Sequence, residues 1–132
     1  MFKGLDHIAI VVQDADAVLK IWRDKLGFRE LFREKVNQDT ILLVHLDLGN
    51  THLQLVQPLD PDHPFFKQLK NNGSFLHHIC MRVDDVENAM EQISNVNIGM
   101  GESKPHQGTQ GKTAIFLSTI DCDNVQVEIT GN

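Results

Sequence analysis

The chain has 132 residues, 41% of them apolar, and carries 12 Lys and Arg against 18 Asp and Glu for a net charge of −6. That is enough chain to close one core unaided. No apolar run approaches the ~20 residues of a membrane span, and the acidic balance argues against the basic stripe of a nucleic-acid binder.

A strand pattern begins at Leu5, which leaves no space for a signal or transit peptide. Cys80 and Cys122 share no zinc-knuckle or redox spacing and read as reduced thiols of a cytoplasmic protein. After the first strand, Asp14 is placed to cap a helix in which Val18, Ile21, Trp22 and Leu26 recur at helical spacing, with Gly27 as its stop. Strands are expected over 28–34, 40–48 and 51–56, with a turn at Gly49-Asn50. Residues 58–73 form a proline-rich linker. Within it Pro64 opens a short helix that packs through Phe65, Phe66 and Leu69.

The pattern then repeats. Leu5, His7, Ile8, Val12 and Asp14 match Leu76, His78, Ile79, Val83 and Asp85 at an offset of 71. Asp84 or Asp85 caps a second helix carrying Val86, Ala89, Met90 and Ile93, with Gly99 as its stop, and strands are expected over 98–102, 113–118 and 124–130. The fold class is therefore α+β: two tandem βαβββ modules, 1–57 and 74–132, joined by the linker 58–73. Helices cover one sheet face, and the other is free to line a cleft.

The repeat makes a statement about side chains. His7 and His78 occupy equivalent strand positions, and the last strand of each half sets one polar residue among apolar neighbours, Gln54 in the first and Glu128 in the second. A pseudo-two-fold arrangement brings all four together as a mixed nitrogen and oxygen donor set for a divalent ion. The ordinary alternatives are half-buried structural histidines and an edge-strand charge at Glu128.

These residues carry a resemblance. The segments around His7 and Asp14, Leu53-Gln54-Leu55 with Pro58-Leu59, Leu76-His77-His78-Ile79, and Val127-Glu128-Ile129 resemble the vicinal oxygen chelate superfamily (glyoxalase, bleomycin resistance and dioxygenase proteins). Within it the chain looks most like the methylmalonyl-CoA epimerases. The resemblance implies a homodimer and a divalent ion, Zn, Co or Ni, held by His7, Gln54, His78 and Glu128. It implies proton abstraction next to a carbonyl, with Glu128 as base and an acyl-CoA thioester as substrate. A glyoxalase I-like lyase acting on a thiol hemithioacetal is the alternative; a non-catalytic ligand-binding protein of the same fold is the second.

One departure stands out. The family's second glutamate, on the middle strand of the first half, aligns here with Leu42; a one-residue slip would expose His45 or Asp47 instead. His52 shares the strand face of Gln54 and is a candidate substrate contact. Lys112, beside the glycine turn at Gly108 and Gly111, is a candidate for a phosphate or carboxylate. For His52 the ordinary alternative is an exposed edge position, and for Lys112 and His106 a solvated loop position. His77 points away from His78's face and reads as structural.

Overall fold

The computed structural model describes residues 1–132. Its elements are β1 (Gly4–Val11), α1 (Ala15–Trp22), β2 (Arg29–Val36), β3 (Ile41–Asp47), β4 (His52–Pro58), α2 (Phe65–Asn72), β5 (Phe75–Arg82), α3 (Val86–Asn95), β6 (His106–Gln107), β7 (Thr113–Phe116) and β8 (Val127–Gly131). The order βαβββ occurs twice with α2 between, which is the expected α+β architecture. No helix is long and apolar enough to cross a membrane. The chain divides into two compact units, Ile8–His77, and Met1–His7 together with His78–Asn132.

In the unit Ile8–His77 the strand neighbours run β2-β3-β4-β1, and the β2-β3 and β3-β4 pairs are antiparallel. Asp14 starts α1 by accepting hydrogen bonds from the amides of Asp16 and Ala17. Ala15 and Leu19 of that helix bury against Val44, Leu46, Leu53 and Leu55. On the other sheet face Leu43 and Val56 pack with Ala9, Val11 and Leu69 of α2. Side chains alternate along a strand, so Gln54, between Leu53 and Leu55, leaves the α1 face. Its cross-strand partner is His45.

This register corrects the placement of Leu42. It packs against the α1 cluster, on the face opposite Gln54, while Leu43 and His45 take Gln54's face. A bulge between Glu30 and Phe32 has a similar effect on β2. Glu30 falls on the α1 side, where it accepts from Arg23 and Arg33, whereas Phe32 falls beside His45. Pro64 stands at the start of α2 without a side-chain cap of its own; His63 Nδ1 accepts from the Phe65 amide instead. His77 packs edge-on against Phe65 of that helix.

In the other unit the neighbours run β5-β8-β7-β6. Strands β5 and β8 are parallel, and β8 and β7 antiparallel. Asp85 caps α3 by accepting from the Asn88 amide, and Val86, Ala89 and Ile93 bury against Ile115, Leu117 and Ile129. The opposite face carries Cys80, Phe116 and Glu128, which are cross-strand partners.

Two expectations change here. Residues 98–102 do not form a strand; Met100 makes one isolated bridge to Leu117, and the edge strand is the two-residue β6. Gly99 and Gly101 weaken any strand there, and a Cβ on Gly101 would stand 2.6 Å from the Leu117 carbonyl oxygen. The left-handed residue after α3 is Asn97 (φ 67°), not Gly99.

Candidate active site

Three of the residues singled out from the sequence converge in the unit that holds both ends of the chain. His7 Nε2 lies 3.2 Å from His78 Nε2. The Glu128 Oε1 atom is 3.4 Å from His78 Nε2 and 3.6 Å from His7 Nε2. All three side chains are nearly buried, 2%, 7% and 9% exposed. Donors held 2.0–2.1 Å from one centre at tetrahedral angles stand about 3.3–3.4 Å apart. The three atoms therefore fit a divalent ion such as zinc, cobalt or nickel.

The surroundings set the protonation that such a centre needs. The Asp6 carboxylate sits 2.8 Å from His7 Nδ1. It accepts from that ring nitrogen, which turns Nε2 toward the site. Burial by itself would raise the Glu128 pKa. Hydrogen bonds from His106 and His78 and the nearby His78 and His7 outweigh it, so the carboxyl is held well below the usual carboxylate range. Cys80 also lies near Asp6 and His7. Burial, reinforced by the Glu128 charge and hydrogen bond, pushes its thiol up, which keeps it protonated and unlike a thiolate ligand.

His106 is not the solvated loop residue that its place in the sequence suggests. Pairing of β6 with β7 brings its Nε2 within 3.1 Å of Glu128 Oε2, while Nδ1 faces Glu102 at 2.9 Å. Its pKa is raised by the hydrogen bond to Glu128, against burial, with the Glu102 charge adding to it. Glu102 in turn accepts from the Phe116 amide, and the Phe116 ring stacks on His106 and meets His78 edge-on. Asp6, Glu102 and His106 were all missed as partners of the centre. The adjacency of Asp6 and His7 was a weak signal, since neighbours on a regular strand point apart. His106 gave none beyond its residue type.

Gln54 belongs to the other unit. It is 4% exposed, and its amide nitrogen is 3.0 Å from His45 Nε2. His45 is fully buried, stacked on Phe32 at 4.4 Å, and its Nδ1 is 3.1 Å from His52 Nδ1. His52 is thus a partner of His45. Lys112 is an exposed residue beside the Gly108–Gly111 turn.

Comparison with known proteins places the chain in a family. A family model described as the Glyoxalase/Bleomycin resistance protein/Dioxygenase superfamily matches residues 6–116. The mitochondrial methylmalonyl-CoA epimerase of Mus musculus is 32% identical over 126 residues, covering 95% of this chain and 71% of the relative. An ethylmalonyl-CoA/methylmalonyl-CoA epimerase of Cereibacter sphaeroides is 29% identical over 131 residues, covering 98% of each. Among solved structures, a Streptomyces coelicolor methylmalonyl-CoA epimerase in complex with 2-nitronate-propionyl-CoA superposes with a TM-score of 0.85 at 27% identity, covering 100% of this chain and 99% of that one. The chain belongs to the glyoxalase/bleomycin resistance protein/dioxygenase superfamily.

Proposed function

We propose that this protein is a divalent-metal-dependent epimerase that moves the proton alpha to the carbonyl of a malonyl-type acyl-CoA thioester, the class of compound for which its relatives are named. The observation that carries the proposal is the convergence of His7 Nε2, His78 Nε2 and Glu128 Oε1 in a buried cluster, in a chain related to named epimerases. His7, His78 and Glu128 hold the ion, and the expectation that Gln54 adds a fourth donor is part of the same proposal. Zinc, cobalt and nickel all suit this set.

A bound divalent ion supplies Lewis acidity toward the carbonyl oxygen, where negative charge builds as the carbon acid ionises. The chain's own residues do the rest. Asp6 fixes the His7 tautomer. Glu128, present as the carboxylate, takes the alpha proton in this reading, and water returns a proton to the opposite face of the enolate, which inverts the carbon. His106 holds Oε2 of that carboxylate at 3.1 Å, so the orientation of Glu128 is set from two sides. His52 and Lys112 stay candidate contacts for the substrate. The protein is further proposed to act in the cytoplasm as a homodimer, which sedimentation of the purified chain would check.

The test uses metal-loaded protein with two substrate types. An epimerase interconverts the two forms of a 2-methylmalonyl thioester and exchanges its alpha hydrogen with deuterated water. Turnover only of a glutathione hemithioacetal would instead make the protein a glyoxalase I-like lyase. Failure to retain a divalent ion, with turnover of neither, would leave the ligand-binding reading.

A further inference from the structure

We propose that Glu102 and His106 are positioning residues, a strut that pins one oxygen of Glu128 so that Glu128 offers the centre its other oxygen alone. The proposal rests on the reading of His7, His78 and Glu128 as ligands. It concerns a question that reading leaves open. A carboxylate can meet a cation through one oxygen or through both. A centre that acts on a substrate keeps a position free for it, and a carboxylate that closes both oxygens on the ion takes up one position more.

The two oxygens of Glu128 have different neighbours, all within the unit that holds both ends of the chain. Oε1 lies 3.4 Å from His78 Nε2 and 3.6 Å from His7 Nε2. Oε2 lies 3.1 Å from His106 Nε2. The far side of the His106 ring is engaged as well, with Nδ1 at 3.0 Å and 2.9 Å from the two oxygens of Glu102. Glu102 is fixed in its turn, since its Oε2 accepts from the Phe116 amide at 2.8 Å. The Phe116 ring lies over His106 with the two planes inclined by 23°. Each contact of the strut is a hydrogen bond whichever partner carries the proton, so the strut requires no particular tautomer.

The backbone explains why these groups meet. Phe116 and Glu128 are cross-strand partners in β7 and β8, and His106 pairs with Ala114, two residues from Phe116 and on its face. Glu102 lies outside any strand. Gly101 brings it in: its amide donates to the Phe116 carbonyl at 2.8 Å, an approach that a side chain would block, because a Cβ there would stand 2.6 Å from the Leu117 carbonyl oxygen. Residues 101 and 102 thus meet both the carbonyl and the amide of Phe116, which leaves the Glu102 carboxylate beside the His106 ring.

The experiment titrates the full-length chain with Co²⁺ and records its visible absorption, whose intensity falls as the coordination number rises. His106→Phe keeps a ring against Phe116 but removes both nitrogens. It should lower the intensity, as Glu128 closes on the ion with both oxygens, and weaken binding about 10–100-fold, the usual cost of losing a group that orients a ligand. An unaltered spectrum in the folded variant overturns the proposal, whatever the affinity. Glu102→Ala should change the spectrum in the same direction. Glu102→Gln, whose carboxamide still reaches the ring, should restore it, and a Gln variant that behaves like the Ala variant overturns the role of Glu102. Glu128→Ala is titrated beside them. If it leaves Co²⁺ affinity unchanged, the ligand reading itself fails. If it weakens binding while His106→Phe keeps the original spectrum, only the strut fails. Should His106→Phe not fold, the two Glu102 variants decide, since that side chain is 32% exposed.

Discussion

His7 Nε2 and His78 Nε2 face one another across 3.2 Å, although 71 residues of chain separate them. Asp6 accepts from His7 Nδ1 on the far side of the ring. His7 therefore turns Nε2 toward His78, and Glu128 Oε1 lies beside both. We expect His78→Ala and Glu128→Ala each to abolish retention of a divalent ion and turnover while leaving the circular dichroism spectrum intact. Loss should exceed the 10–100-fold that outer-shell changes cost. If Glu128→Ala bound metal and turned over like the parent protein, the site would be misassigned.

Asp6→Asn offers a milder change. The amide can still touch Nδ1, but it no longer favours the proton there. Metal affinity should fall about 10–100-fold, with thermal stability of the metal-free protein nearly unchanged. Competition of the variant against a chromogenic chelator measures this directly, and an unaltered constant would remove Asp6 from the centre.

Leu42→Glu separates the two possible registers of β3. Leu42 packs on the α1 cluster with Val44 and Leu46. A carboxylate there loses apolar burial and gains no partner, so the variant should be destabilised by about 1–3 kcal/mol without any gain in epimerase activity. Urea denaturation reads the first effect. Higher turnover would contradict the observed register.

Glu30 gives a stability prediction tied to pH. The Arg33 guanidinium, and after it Arg23, hold its carboxyl below the ordinary value of 4.5, against partial burial. Folding therefore favours the ionised form. The resulting stabilisation is complete above about pH 4.5 and is lost as the pH falls through the folded-state value. Glu30→Gln should cost on the order of 1 kcal/mol near neutrality and flatten the acid side of the stability profile. Parallel profiles for the two proteins below pH 4 would show that the pair contributes nothing.

The sequence by itself determined the repeat, and with it the order of elements and the strand positions of His7, His78, Gln54 and Glu128. Those follow from short-range rules: alternation along strands, helical spacing, and the aspartates Asp14 and Asp85 that cap their helices. Tertiary structure decided everything that depends on register between strands. It put Leu42 on the α1 face and His45 opposite Gln54, because one residue of shift reverses every side chain of a strand. It turned 98–102 from a strand into a turn-rich segment. It also brought His106 from a loop to Glu128, since the pairing of two residues in β6 with β7 is a long-range contact with no local signature.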